Sequence, residues 1–358
     1  MRILVIFTGG TIGCAPPDGD AVLGVGAGGA DAGDWRSYYL LTSFMEKSKS
    51  EYRDGVTFDV MSPLNVLSEN MTVAKWAVLV KALKGVDFSP YDGVVITHGS
   101  DTLAYTASFL GILLSGAGLP IVLVAANKNL YDPLTNGHQN FNAALDFIRR
   151  ANSPGVYASY SYDREKTVIY LGTRIKQSNA YIDRYESTDG VDFGMVRNGR
   201  FIKTCNIAPV PYRGESILGG LKGLKSSVML IQPYVGLDYS MIVFDKSRLR
   251  AVLHTIYHSF TACTDEDGPS SILYLDRLCA ENGIPLYVAS FSELLLRGHE
   301  RYESTEAMLR SNISFLCGHS IECSYAKLLI AVNLYDDADR INGFLSETIF
   351  YENAEIAY

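Results

Sequence analysis

The chain has 358 residues, of which 47% are hydrophobic and 20% charged, and its net charge is −8. The length exceeds one comfortable core, so two domains are expected, and the composition is that of a globular protein, not a disordered one. The acidic balance argues against nonspecific nucleic-acid binding and gives no support for a role at an anionic membrane surface.

MRILVIF opens the chain as a strand; its five apolar residues before Thr8 are too few for a secretory signal, and no apolar run approaches the roughly 20 residues of a membrane span. TGGTIG follows, ending at Gly13, and then the Gly-, Ala- and Asp-dense CAPPDGDAVLGVGAGGADAGDW, which reads as a mobile lid or a long excursion. TVAKWAVLVKALKG has helical apolar spacing, GVVITHG is a strand, and TLAYTASFLGILLSG is a buried helix closing on glycine. LPIVLVAAN and EKTVIYLG are further strands, separated by the helical NFNAALDFIRRA. KTCNIAPVPYRGESILGGLKGLKS, rich in Pro and Gly, has no apolar period and reads as a linker. Beyond it SSVMLIQPY, AVLHTIYHS and PLYVASF are strands, and PSSILYLDRLCAENG and ECSYAKLLIAVNL are helices.

This alternation predicts an α/β fold. A larger domain over 1–204 would carry a mainly parallel open sheet flanked by helices, with a linker over 205–225 and a smaller α/β domain over 226–358. The six cysteines are scattered, as expected for free thiols in a reducing cytoplasm. The ends of parallel strands form ligand crevices, and the hydroxyls of Thr11 and Ser100 stand at two such ends.

TGGTIG after an N-terminal strand, together with THGSDTLAYTAS, resembles the bacterial-type L-asparaginase and glutaminase family in its cytoplasmic, type I-like form. The resemblance follows the order of elements along nearly the whole chain and is strongest in the N-terminal two thirds. It implies hydrolysis of the side-chain amide of L-asparagine to L-aspartate and ammonia through an acyl-enzyme, with no metal or organic cofactor, in a homodimer or homotetramer. Amide hydrolysis needs a nucleophile, a proton acceptor and donors for the oxyanion. The resemblance assigns the nucleophile to Thr11, with Gly10 allowing close approach of the backbone, and a proton relay to Ser100, Asp101 and Lys176. Members usually carry Thr where Ser100 stands. The resemblance also implies that Ser68 and Glu69 hold the substrate's carboxylate and amino group, with Gly10 and Gly99 as further substrate-binding positions.

Several residues depart from the family pattern. The Gly172-to-Lys176 interval is one residue shorter than usual, although Asp183, Tyr185 and Ser187 downstream are in step; a second alignment leaves the lysine position empty. No Tyr lies between Gly13 and Asp34, where the family's lid tyrosine belongs, and Tyr38 and Tyr39 fall beyond that interval. Ala125, Ala126, Asn127 and Lys128 replace a Gly-Ala or Gly-Ser step, and Thr261 stands where a neighbouring subunit's Asn often completes the site. These departures keep a second function open, a catalytically impaired ligand-binding or regulatory protein, and a third, an amidase for glutamine or another amide.

Other signals have plainer readings. TGGTIG is neither G-x-G-x-x-G nor a P-loop. Ser320 in GHSIE reads as a helix N-cap because Glu322 replaces the closing Gly of a nucleophile elbow. SEN at Ser68 could equally be a loop with a helix N-cap. His254 and His258 have zinc-like spacing only on a helix; in a strand they stand roughly 13 Å apart. Cys317, His319 and Cys323 lack a nearby fourth ligand and read as buried side chains. The 23 tyrosines, without a basic balance, read as core and interface residues.

Overall fold

A computed structural model describes residues 1–13, 45–46, 55–151, 153–179, 181–207, 217–265, 268–291, 301–353 and 356–357. The Gly-rich segment 14–35, Tyr38 and Tyr39 lie outside the described residues. The chain divides into two units, Met1–Gly220 with Glu355–Tyr358, and Leu221–Ala354.

The first unit is built on an eight-stranded sheet in the order β10-β9-β6-β5-β4-β3-β1-β2. Its parallel half comprises β1 (Arg2–Phe7), β2 (Thr57–Met61), β3 (Gly93–Thr97), β4 (Pro120–Val124) and β5 (Gly155–Tyr160). Strands β3, β4 and β5 are buried along their whole length, as a sheet covered on both faces requires, which is why they read as unbroken apolar runs. From β1 the chain passes to β2 on one side, whereas β3 and β4 continue on the other. The carboxyl ends of β1 and β3 therefore lie at a topological switch point, where open α/β sheets bind ligands.

Helix α1 (Val73–Lys84) buries Trp76, Leu79, Val80 and Leu83, one face of a 3.6-residue period. Helix α2 (Leu103–Leu113) buries every residue except Tyr105 and ends at Leu113, with Leu114 as its cap. It stops short of Gly116, so a leucine closes it where a glycine was expected. Trp76 stacks on Phe109 at 4.5 Å, and its indole N–H donates to Thr106 Oγ1 at 3.0 Å, joining the two helices. Helix α3 (Gly137–Ala151) lies between β4 and β5 in the chain.

The antiparallel half is only partly readable from the sequence. Strand β6 (Thr167–Leu171) pairs antiparallel with β5, and β9 (Gly194–Arg197) and β10 (Arg200–Lys203) extend the sheet. Asn198 and Gly199, at φ 50° and 67°, make the two-residue turn between β9 and β10. Asn-Gly is a strong sequence signal for such a hairpin because both residues tolerate positive φ. A small hairpin, β7 (Ile175–Lys176) with β8 (Glu186–Ser187), projects from the same region. Inside the expected linker, β11 (Asn206–Ile207) pairs antiparallel with β16 (Ile356–Ala357), so the end of the chain groups with the first unit and not with the second.

The second unit carries an all-parallel sheet of β12 (Val228–Ile231), β13 (Ala251–His254), β14 (Leu286–Phe291) and β15 (Ser314–Cys317), in that order. Its helices are α4 (Ile272–Glu281), α5 (Glu303–Leu309), α6 (Ile321–Leu334) and α7 (Ala338–Ser346). Ser320 caps α6, its Oγ accepting from Cys323 N at 3.1 Å, as the GHSIE reading required. Strand β13 ends at His254, so AVLHTIYHS is a strand over only its first half. His254 is fully buried with Nε2 2.8 Å from the Tyr239 hydroxyl, whereas His258 is exposed. Among the described residues no cluster of His, Cys, Asp and Glu is suited to a metal, and no helix is long and apolar enough to cross a membrane.

The core of this unit holds a fully buried ion pair. Lys327 Nζ, on α6, meets Glu352 Oε1 at 2.7 Å and the Glu347 carbonyl at 2.5 Å. The Glu352 carboxylate also accepts from Ile349 N and Phe350 N at 2.9 and 2.7 Å. Burial alone would push that carboxyl up, but the Lys327 charge and these donors hold it below the ordinary range.

Candidate active site

Three backbone crossings make the floor of the switch point. After β1, buried Thr8 donates its hydroxyl to the Thr97 carbonyl at 2.7 Å, tying the ends of β1 and β3 together. Gly9 and Gly10 follow at φ 104° and 81°, conformations that side-chain-bearing residues rarely adopt. A Cβ on Gly9 would fall 2.3 Å from Val66 N, one on Gly10 2.3 Å from Gly99 N, and one on Gly99 2.4 Å from Ser68 Oγ. Gly10 N donates to Val66 O at 2.8 Å, and Val66 N to Thr8 O at 3.0 Å. The segment carrying Ser68 and the ends of β1 and β3 are thus in van der Waals contact, and they bring Thr11, Ser68 and Ser100 to one edge of the sheet.

Thr11 begins a 3-10 turn, Thr11–Gly13, and is half-buried. Ser100–Thr102 form a second 3-10 turn, and Ser68–Asn70 a third. Helix α1 is capped by Thr72, whose hydroxyl accepts from Lys75 N at 3.4 Å, so SEN is not its N-cap. Buried Ser68 instead serves the second motif. Its hydroxyl donates to Asp101 Oδ2 at 2.9 Å and accepts from Asp101 N at 3.1 Å, and its carbonyl accepts from Thr102 Oγ1 at 2.9 Å. Asp101 and Glu69 are both exposed, so two carboxylates face the solvent beside two hydroxyls.

Lys176 does not join them. In the β7–β8 hairpin it lies opposite Glu186, its ammonium is 3.6 Å from Glu186 Oε2, and its side chain is 48% exposed. The expected hydrogen bond from Lys176 to Ser100 is not formed; alternation along the short strands turns Lys176 and Glu186 outward while Ile175, Tyr185 and Ser187 are buried. The group that does reach Ser100 from this hairpin is Tyr185, whose hydroxyl donates to the Ser100 carbonyl at 2.5 Å. Sequence reasoning placed Tyr185 in step with the family but gave it no role. Asn127, which departs from the family pattern at the end of β4, donates to Asp183 Oδ2 at 2.9 Å, and Tyr160 donates to the other oxygen of that carboxylate.

Beneath the second motif, His98 is fully buried, with Nδ1 2.7 Å from the Gly99 carbonyl. A carbonyl only accepts, so Nδ1 carries a proton. Burial pushes His98 down to about 4, and it does the same to His254. Both imidazoles are protonated more readily in the unfolded chain, so their stabilisation is complete above pH 6.5 and is lost as the pH falls toward 4. Each contributes up to about 3 kcal/mol to that slope. Urea midpoints should therefore fall steadily between pH 7 and 4.5, and a midpoint that stays level across that range would remove these histidines from the account.

Matches to known proteins bear on the family and the fold. The family model described as Asparaginase, N-terminal, matches residues 2–202. An L-asparaginase from Thermococcus kodakarensis is 29% identical over 198 residues, covering 55% of this chain and 54% of that protein. One component of the glutamyl-tRNA(Gln) amidotransferase from Methanococcus maripaludis is 29% identical over 190 residues, covering 51% of this chain and 44% of its own length. The chain thus spans about half the length of these curated relatives. The solved thermostable L-asparaginase from Thermococcus kodakarensis shares the fold, with a TM-score of 0.74 and 22% identity over 98% of this chain and 99% of that one. With the family model covering more than half of its residues and the fold shared along nearly all of them, the chain belongs to the asparaginase family.

Proposed function

We propose that this chain is an amidohydrolase that converts L-asparagine to L-aspartate and ammonia. The observation that carries the reading is the convergence of Thr11, Ser68 and the Ser100–Asp101 turn at the β1/β3 switch point, where Gly9, Gly10 and Gly99 let the segments that carry them pack against one another. The Thr11 hydroxyl attacks the amide carbon, and its proton passes through the relay to the departing nitrogen, which leaves as ammonia. Water, activated at Ser100, then cleaves the Thr11 ester and restores the hydroxyl. Asp101 and Glu69 offer carboxylates to the substrate's ammonium group. Lys176 would complete the relay only if the β7–β8 hairpin turned its outward face toward Ser100; the exposed pair with Glu186, worth only about 0–1 kcal/mol, would not hold it back.

The assembly we propose is a homodimer or homotetramer in the cytoplasm. Tyr234, Val235, Met241 and Val243, between β12 and β13, are 62%, 98%, 80% and 88% exposed, which supports burial against another copy. Light scattering should give a multiple of 39.3 kDa.

The activity test is ammonia release from L-asparagine, L-glutamine, D-asparagine and a peptide-linked asparagine. Turnover highest on L-asparagine is expected; a preference for another amide would move the substrate and keep the chemistry. A pocket discriminates a single methylene by only about 1–3 kcal/mol, so the ratio of asparagine to glutamine turnover should be modest. The outward-facing Lys176–Glu186 pair favours a second reading, a ligand-binding protein without turnover. That reading predicts a rise in melting temperature with L-aspartate and no ammonia from any of the four amides.

A further inference from the structure

One peptide unit of the second motif is gripped at both ends. The carbonyl between Ser100 and Asp101 accepts from the Tyr185 hydroxyl at 2.5 Å, and the N–H of that same unit donates to Ser68 Oγ at 3.1 Å. Ser68 Oγ then donates to Asp101 Oδ2 at 2.9 Å. Every donor in this series points the same way, from the phenol through the peptide and the serine to the carboxylate, so each bond polarises the next.

We propose that Tyr185 is a positioning residue that sets the direction of the Ser100 hydroxyl and the Asp101 carboxylate by fixing the peptide plane between them. The inference rests on the hydrolase reading. The two side chains spring from the Cα atoms that bound that plane, so a displacement of the plane shifts both at once. Ser100 makes the grip more consequential, because a serine hydroxyl lacks the methyl that restricts threonine and takes its direction more from the backbone.

The phenol is built to hold. Tyr185 is 1% exposed, and burial, first of all, raises its ionisation well above the ordinary tyrosine value, so it remains a donor throughout the working pH range. Its ring stands edge-on to Tyr160 at 4.9 Å, and its own carbonyl accepts from the Tyr170 hydroxyl at 3.1 Å. Tyr160 is fixed in turn by Asp183, which Asn127 also holds. The hairpin side chain that touches the catalytic turn is thus anchored to β5, to β6 and to the segment after β4, independently of the outward Lys176–Glu186 pair.

Tyr185→Phe keeps the packed ring and removes only the donor, and Tyr157→Phe, whose hydroxyl contacts Ser153, is the control. Loosening a reacting group by a fraction of an ångström costs rate more than affinity. In steady-state hydrolysis of asparagine, Tyr185→Phe should lower kcat about 10- to 100-fold with KM within about twofold, and Tyr157→Phe should match the wild type. A kcat within twofold of wild type, or a loss carried by KM alone, overturns the proposal. If the wild type releases no ammonia from any amide, the hydrolase reading is what fails. Hydrogen exchange then decides the grip: the 99–103 peptide should exchange at least tenfold faster in Tyr185→Phe with β5 unchanged, and equal exchange overturns it.

Discussion

Thr11→Ala is expected to cut ammonia release from asparagine about 1,000-fold or more while the protein stays folded. Loss of a nucleophile removes the group that forms the acyl intermediate, so the penalty falls on kcat and is not recovered at high substrate concentration. The side chain is half-buried in a 3-10 turn at the sheet's edge, so the melting temperature should shift by only a few degrees. Binding of L-aspartate should persist in the variant, because Ser68, Glu69 and Asp101 are untouched. Equal turnover by Thr11→Ala and wild type would sink the assignment of the nucleophile. Lys176→Ala, measured beside it, tests the relay: a general base contributes about 100- to 10,000-fold, whereas a lysine that serves only its surface pair contributes almost nothing.

The second large effect concerns stability. Lys327→Met should destabilise the second unit by about 3–5 kcal/mol, because Glu352 would remain as a buried charge without its counter-ion. The double variant Lys327→Met with Glu352→Gln should recover part of that loss, since the amide can still accept from the backbone donors at Ile349 and Phe350. Urea unfolding of both variants and the wild type makes the comparison. A single variant as stable as the wild type would show that solvent reaches the pair.

How legible the fold was depended on how far apart its contacts lie. Strands β3 and β4 and helix α1 could be read because burial imposes an unbroken run or a 3.6-residue face within a dozen residues. Thr11, Ser68 and Ser100 could be read because each stands in a short contiguous motif. Tyr185 could not be, since its partner Ser100 is 85 positions away and nothing local marks the contact. Lys176 was harder still: in a two-residue strand, spacing alone does not say which face a side chain takes, and a shift of one residue reverses it. The β9–β10 hairpin carried a readable Asn-Gly turn that the alternating α/β pattern obscured. The β11–β16 pairing, two residues against two, left no periodicity to detect.

The glycine floor changes how this site should be varied. Thr11, Ser100 and Asp101 perform the proposed chemistry, yet replacing any of them puts folding at little risk. Gly9, Gly10 and Gly99 perform none of it, but any side chain there meets backbone or Ser68 within 2.4 Å. Randomisation aimed at new substrates should therefore hold the three glycines as constant as Thr11 itself, although for folding and not for chemistry, and spend its diversity on exposed neighbours such as Glu69.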